Sequence, residues 1–204
     1  MGPAEKTAEK KSAAAPRRSR LTPEREGELY AAVLDELREV GYDALTMDAV
    51  AARSRCSKAT LYRQWQGKPR LVASAIRHVK PFDLSGLDTG SLAGDLYELA
   101  DRFCHSRKDV ELAQAIGVAL HRNEDLAEAM HETIVRPELE RMDEILDRAR
   151  ARGEIAPDCP AADFLPHMVI GAVFARSMVE QREADPDYLK RYLDNVVLPV
   201  LVRS

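Results

Sequence analysis

Arg63 and Gln64 stand side by side in the segment Ser57–Trp65. A guanidinium pairs bidentately with the O6 and N7 of guanine, and a carboxamide does the same with the N6 and N7 of adenine. In the same segment Lys58, Thr60 and Tyr62 carry donors suited to phosphate oxygens, and Ala59 is small enough to let a helix lie close to base edges. Thr46 and Lys68 flank the segment and add a hydroxyl and an ammonium for further phosphates. Singly, each side chain fits an ordinary solvated helix face. Together on one short helix they imply contact with double-stranded DNA.

That chemistry needs a scaffold to aim it, and the surrounding residues supply one. Leu61 and Trp65 are one turn apart, so turning both inward points Ala59, Thr60, Arg63 and Gln64 outward at about 100° per residue, with Lys58 and Tyr62 on the flanks. Ser57 is placed to cap this helix. Ser54-Arg55-Cys56 forms a turn from a preceding helix that starts at Thr46 and uses Met47, Val50 and Ala51 as its apolar stripe. Cys56 reads as a small buried hydrophobe plugging that turn rather than a redox-sensing thiol. A first helix begins at Thr22-Pro23, turns Leu29, Val33, Leu37 and Val40 to one side, and ends at Gly41 in the left-handed conformation. Short helices over residues 23–65, with a three-residue turn before the last, make a helix-turn-helix arrangement. Gln66-Gly67 breaks the third helix, and Pro69 sits in the first turn of a fourth that runs to about Val79.

The stretch Gly41-Tyr42-Asp43-Ala44-Leu45-Thr46-Met47-Asp48-Ala49-Val50-Ala51 resembles the "GYxxxTxxxIA" segment of TetR family repressors. Ser57-Lys58-Ala59-Thr60-Leu61-Tyr62-Arg63-Gln64-Trp65 resembles their "SKgTLYrhF" recognition helix, and Lys68 with Leu71-Val72 matches the "K…LL" that follows. The resemblance covers about residues 24–80. It implies a homodimer whose two recognition helices enter successive major grooves of a near-palindromic operator. It also implies a repressor that leaves DNA when a small molecule fills a pocket in the C-terminal part. Two positions depart from the pattern. Arg55 stands where the family usually has glycine, which implies a strained positive φ, an altered turn or an added phosphate contact. Trp65 replaces the usual phenylalanine.

Charge is divided unevenly along the 204 residues. Residues 1–70 hold 14 basic against 10 acidic side chains, and the remainder 16 against 24. A basic front on an acidic body suits one end facing a polyanion. Residues 1–21 lack apolar periodicity and read as a disordered basic arm; Arg17, Arg18 and Arg20 either reach DNA or simply solubilise the chain. Cys56, Cys104 and Cys159 show no disulfide or metal spacing, which fits a reducing cytoplasm. No uncharged apolar run approaches the roughly 18 residues of a membrane span, and no secretory leader is visible. Phosphate-binding glycine loops, nucleophile elbows and metal-ligand spacings are missing, so neither an enzyme nor a cofactor is expected.

The expected fold is therefore all-α: a three-helix DNA-binding unit joined by a linking helix to a larger helical domain for ligand binding and dimerisation. The division falls at 22–80 and 81–204, with helices at about 91–106, 109–122, 124–151, 161–183 and 187–202. Pro137 should kink or split the longest. The helix over 161–183 is apolar on all sides and so should be buried on all sides, between its own core and a partner. Phe164, Met168, Gly171, Ala175 and Met178, with Tyr192, Val196 and Val200 of the last helix, are the expected dimer contacts. Phe103, Ile116, Leu120, Met130, Ile134, Met142, Met168 and Phe174 are candidates to line a pocket for an unidentified effector, although residues of this kind more often simply fill a core. The rival to a ligand-controlled repressor is a DNA-binding regulator governed by a protein partner, or an activator.

Overall fold

The computed structural model describes residues 21–79, 83–106 and 110–203; apart from Leu21, the basic arm expected over residues 1–21 lies outside the described residues, as does Pro81. Among the described residues the chain is helical and has no strand. First come α1 (Pro23–Ala44), α2 (Met47–Ser54), α3 (Lys58–Trp65) and α4 (Lys68–His78). Then follow α5 (Leu92–Ser106), α6 (Val110–Leu120), α7 (Glu124–Met130), α8 (Arg136–Ala151), α9 (Leu165–Glu180), α10 (Pro186–Tyr192) and α11 (Leu198–Arg203).

The starts of the early helices are fixed by side-chain caps. Thr22 Oγ1 accepts from Arg25 N at 3.4 Å, Thr46 Oγ1 from Ala49 N at 3.1 Å and Ser57 Oγ from Thr60 N at 3.1 Å. Each satisfies one backbone N–H that the first turn of a helix leaves without a partner. Gly41 takes a positive φ (74°) as expected, but its ψ of 171° is extended, not left-handed helical. The chain therefore adds one further turn, Tyr42–Ala44, before Leu45.

Leu29, Val33 and Leu37 of α1, Val50 of α2, Leu61 of α3 and Leu71 of α4 are fully buried in one cluster. Val40 is not part of it: it is 47% exposed, and Tyr30 and Leu34 complete the buried face of α1 instead. Trp65 packs edge-on against Tyr30, with ring centroids 5.9 Å apart, and donates from Nε1 to the Tyr30 hydroxyl at 3.3 Å. Tyr30 in turn donates to Glu26 at 3.0 Å, and burial pushes its phenol up to about 12, so it remains a donor at any physiological pH.

α6 and α7 belong to this same cluster, through Leu112, Ile116, Ala119 and Leu126. A second cluster is built from α5, α8, α9 and the C-terminal helices, around Leu96, Leu99, Met142, Ile145, Leu165 and Val173. The apolar packing thus does not divide where the chain passes residue 80. α1 packs on α6, and α4 packs on both α1 and α7.

The expected long helix is divided just ahead of Pro137. A π turn, His131–Val135, joins α7 to α8, and the flanking residues keep helical φ and ψ. A second π turn, Leu193–Val197, joins α10 to α11 just ahead of Pro199. Proline cannot donate to the carbonyl one turn back and its ring clashes with it; the wider π turn absorbs both problems.

In the single chain α9 is buried on one side only. Leu165, Val169, Ala172, Val173 and Arg176 are buried, whereas Phe164, at its start, and Ile170, Phe174, Met178 and Val179 are exposed. Ala162–Glu180 has the length and mean hydropathy (1.2) of a membrane-crossing helix, a match made by length and composition only. Arg176 is buried in a polar setting, pairing with Asp185 at 2.8 Å and Glu180 at 3.4 Å and lying over the Tyr188 ring at 4.0 Å. This anchors α9 to α10.

The loop before α5 is closed by a buried carboxylate. Asp95 is fully buried, and its Oδ1 accepts from Thr89 N at 2.6 Å and from the Thr89 hydroxyl at 2.7 Å. Arg148 and Arg152 lie 3.7 and 3.9 Å from its other oxygen, and Arg148 also donates to Leu87 O at 2.7 Å. Thr89 Oγ1 is held directly over Gly94, where a Cβ would collide with it and would sit 2.9 Å from the Ser91 hydroxyl. Gly94→Ala should therefore destabilise the chain by about 1–2 kcal/mol despite alanine's better helix propensity. Urea denaturation checks this; an unchanged or raised midpoint would show that Thr89 yields freely.

Candidate nucleic-acid interface

α2 and α3 are joined by Arg55, Cys56 and Ser57. Arg55 adopts φ 52° and ψ 36°, the left-handed conformation that its departure from glycine implied. Its N–H donates to Ala52 O at 3.4 Å, and the next N–H, of Cys56, donates to Ala51 O at 3.0 Å, closing the end of α2. Cys56 is half-buried against the core of the first helices, a packing position. Arg25 reaches across from α1 to Ser54 O at 3.1 Å. Arg53 turns away from the surface in question, pairing with Glu36 at 2.8 Å and Glu39 at 2.5 Å on α1.

With Leu61 and Trp65 buried, α3 presents Lys58, Ala59, Tyr62 and Arg63 exposed, while Thr60 and Gln64 are half-buried. Arg55 and Thr46 are exposed beside them. Thr46 Oγ1 accepts from Ala49 N and keeps its own O–H to donate. The Thr60 hydroxyl is shared with Ser57 at 2.8 Å, so it is partly committed to the cap. Lys58 pairs with Asp48 of α2 at 2.9 Å, and that hydrogen bond and charge raise its ammonium above the ordinary lysine value. Both partners are exposed, and such a pair yields readily to a phosphate. The Gln64 carboxamide oxygen is buried without a hydrogen-bond partner, so reading an adenine with it requires the side chain to turn outward.

Lys68, expected to contact phosphate, has its Nζ in the chain alone donating to Tyr42 O at 2.9 Å and Leu45 O at 3.1 Å, with Asp43 O at 3.5 Å, and lies 4.3 Å from the centre of the Tyr42 ring. It fastens the start of α4 to the turn that leads into Thr46. The sequence marked the lysine but not its partners, because backbone carbonyls leave no signature in residue types. Asn123, between α6 and α7, was also missed, because no local spacing joins it to a carboxylate 80 positions earlier: it donates to Asp43 Oδ1 at 3.2 Å and to Ala119 O at 3.0 Å.

The eight candidate pocket residues are divided between the two apolar clusters and the surface. Ile116, Leu120, Met130 and Ile134 belong with the first cluster, Phe103, Met142 and Met168 with the second, and Phe174 is 62% exposed. Helical spacing places a side chain on a face but does not say which neighbour that face meets. A cleft of about 340 Å³ opens elsewhere, between the α3–α4 corner and α7, lined by Trp65, Gln66, Arg70, Asp125, Glu128 and Glu132 among others. Of the expected dimer contacts, Phe164, Gly171, Ala175, Met178, Val196 and Val200 are exposed in the single chain, and Met168 and Tyr192 are half-buried. Among the described residues no cluster of His, Cys, Asp or Glu is arranged to hold a metal.

Known proteins share this arrangement. Residues 29–75 match the family described as bacterial regulatory proteins, tetR family, and residues 87–196 match the tetracyclin repressor-like C-terminal domain. The chain is 36% identical over 182 residues to an uncharacterized HTH-type transcriptional regulator of Mycobacterium tuberculosis, covering 88% of this chain and 89% of the relative. It is 33% identical over 184 residues to the DNA-binding transcriptional repressor TetR of Mycobacteroides abscessus, covering 88% and 94%. Among solved structures, a TetR family transcription regulator superposes with a TM-score of 0.63 at 26% identity, over 87% of this chain and 98% of that one. The flavonoid-responsive regulator FrrA shares the fold, with a TM-score of 0.65 at 24% identity over 88% of this chain and 96% of that one.

The left-handed Arg55 separates backbone strain from charge. Arg55→Gly should raise stability by up to about 1 kcal/mol, because glycine adopts this conformation without a Cβ clash. It should also flatten the logarithmic salt dependence of DNA binding by about 0.9 if the guanidinium neutralises a phosphate. Thermal melts and a salt titration read the two effects independently, and a loss of stability would contradict the strain.

Proposed function

The chain belongs to the TetR family of DNA-binding transcriptional regulators, and from that premise we propose that it is a homodimeric repressor released from a near-palindromic operator by a small molecule. The observation that carries the release is the seat of α4. It follows α3 directly, packs on α1 within the reading unit, and packs on α7 and the π turn behind it. A shift of α7 therefore has a packed route to α3. A ligand that favours one position of α4, and DNA that favours another, must weaken each other's binding by the same factor.

The DNA contacts in this reading fall into two kinds. Arg63, and Gln64 once turned outward, read base edges in the major groove, with Ala59 allowing close approach. Thr46, Arg55, Lys58, Thr60 and Tyr62 hold the phosphate backbone on either side. Residues 22–80 act as the reading unit and 81–204 as the responding body. A DNA partner is consistent with a cytoplasmic protein.

Dimerisation is supported by the outer face of α9. Phe174 and Met178 are 62% and 80% exposed, and Phe164, Ile170 and Val179 extend the same apolar surface. Val196 and Val200, at the other end of the chain, are also exposed. An apolar surface of this kind marks a contact with another protein. Two copies related by a twofold axis would cover it and set two α3 helices at half-site spacing.

Selection of bound sequences from a random duplex library should enrich a near-palindrome. No enrichment by a folded, dimeric protein would overturn the reading. Arg63→Ala should cost about 1–3 kcal/mol on the selected site and relax the preference at one base position in each half. Phe174→Asp combined with Met178→Asp should yield a folded monomer by light scattering and lose most operator affinity; a dimer that persisted would place the interface elsewhere.

A further inference from the structure

Asp48 is the one acidic residue between Thr46 and Gly67, the stretch that holds α2, the turn and α3. Its side chain is 73% exposed, and its Oδ2 lies 2.9 Å from Nζ of Lys58, the first residue of α3. The recognition helix of a helix-turn-helix brings its N-terminal residues to base edges. The carboxylate therefore stands at the end of α3 that leads into the groove. There it faces a polyanion. Asp48 and Lys58 are neutral as a pair, so together they bring no net charge to the duplex. A carboxylate at this place needs a donor on the base edges. Guanine offers two acceptors in the major groove, and adenine sets the N7 acceptor beside its amine, where it opposes a second carboxylate oxygen. Cytosine offers the N4 amine alone, and a carboxylate accepts from it.

We infer that Asp48 is a specificity-determining residue: it accepts from the N4 amine of a cytosine in the major groove and, where that amine is missing, disfavours the duplex by cancelling the charge of Lys58. This rests on the reading that α3 enters the major groove. On a matching site the amine takes over the carboxylate oxygen that Lys58 held, and the ammonium turns to a phosphate. On any other site one of two things happens. Either Lys58 stays on Asp48 and neutralises no phosphate, or it leaves and the bare carboxylate faces the DNA. Arg63 acts by favouring the right base, whereas Asp48 acts chiefly by repelling the wrong one.

The test compares wild type with Asp48→Ala and Asp48→Asn, first by selection from a random duplex library and then by salt titration on the wild-type site and on an unrelated duplex. Wild type should select a cytosine at one position in each half-site, apart from the position set by Arg63. Asp48→Ala should lose the preference there and keep it elsewhere. On the unrelated duplex it should bind several-fold more tightly, with the slope of log K against log salt steeper by about 0.9, because Lys58 then brings an uncancelled charge. Its affinity ratio between selected site and unrelated duplex should fall about tenfold. Asp48→Asn keeps the side-chain shape in the first turn of α2 and removes the charge. It should steepen the slope equally and turn the cytosine preference toward adenine, whose N6 and N7 a carboxamide meets bidentately. The same variant decides the matter if Asp48→Ala does not fold. Unchanged base preferences in both variants would overturn the inference, and so would an unchanged slope on the unrelated duplex. Weaker binding to every sequence alike would make Asp48 a support of α2 and overturn it as well. Wild-type protein that selected no sequence would instead remove the major-groove reading beneath it, an outcome distinct from all of these.

Discussion

Helices of eight residues do not stand on their own in water, and both α2 and α3 have that length. Everything the reading unit does depends on satisfying their ends and burying one side. Thr46 and Ser57 close the starts, the left-handed Arg55 and Gln66 close the finishes, and Arg25 caps a carbonyl at the end of α2. Val50, Leu61 and Trp65 supply the buried side. The arrangement holds because α1, at 22 residues, is long enough to serve as a wall for both short helices and for α4 and α6 as well.

Local chemistry was legible in the residues. Thr22, Thr46 and Ser57 are caps because a hydroxyl next to an apolar run has one natural partner, the N–H three residues on. Arg55 in a turn that normally takes glycine implied a positive φ among its alternatives, and the backbone takes it. Long-range partners were not legible. Lys68 was read as a phosphate candidate from its place just past the recognition helix; that its ammonium also reaches main-chain oxygens more than twenty positions earlier was not visible. The candidate pocket residues show the same limit: spacing placed Ile116 and Met142 on apolar faces, but not in the separate clusters to which they belong. For α9, apolar residues on every side do not reveal which side its own chain covers and which it leaves open.

Proline is handled the same way twice. In each case five residues form a π turn, one further residue follows, and the proline comes next: His131–Val135 before Pro137, Leu193–Val197 before Pro199. The extra residue in the turn rotates everything downstream relative to an unbroken helix. α8 and α11 thus present faces that a uniform 3.6-residue count starting upstream would misplace, and Val197 and Leu201 are buried while Val196 and Val200 are not.

The recognition helix separates two tasks cleanly. Leu61 and Trp65 are buried and decide whether the helix stands, whereas Ala59, Tyr62 and Arg63 are exposed. Its two ends are pinned by positive-φ residues, Arg55 and Gln66, so its length and rotational phase are not free to drift. The exposed positions behave like interchangeable type in a fixed frame. A lineage carrying this scaffold can change the sequence it reads by exchanging a few surface side chains, at almost no expense in folding. Inserting or deleting one residue between the two pins would turn the whole inscription by about 100° and face it into the core.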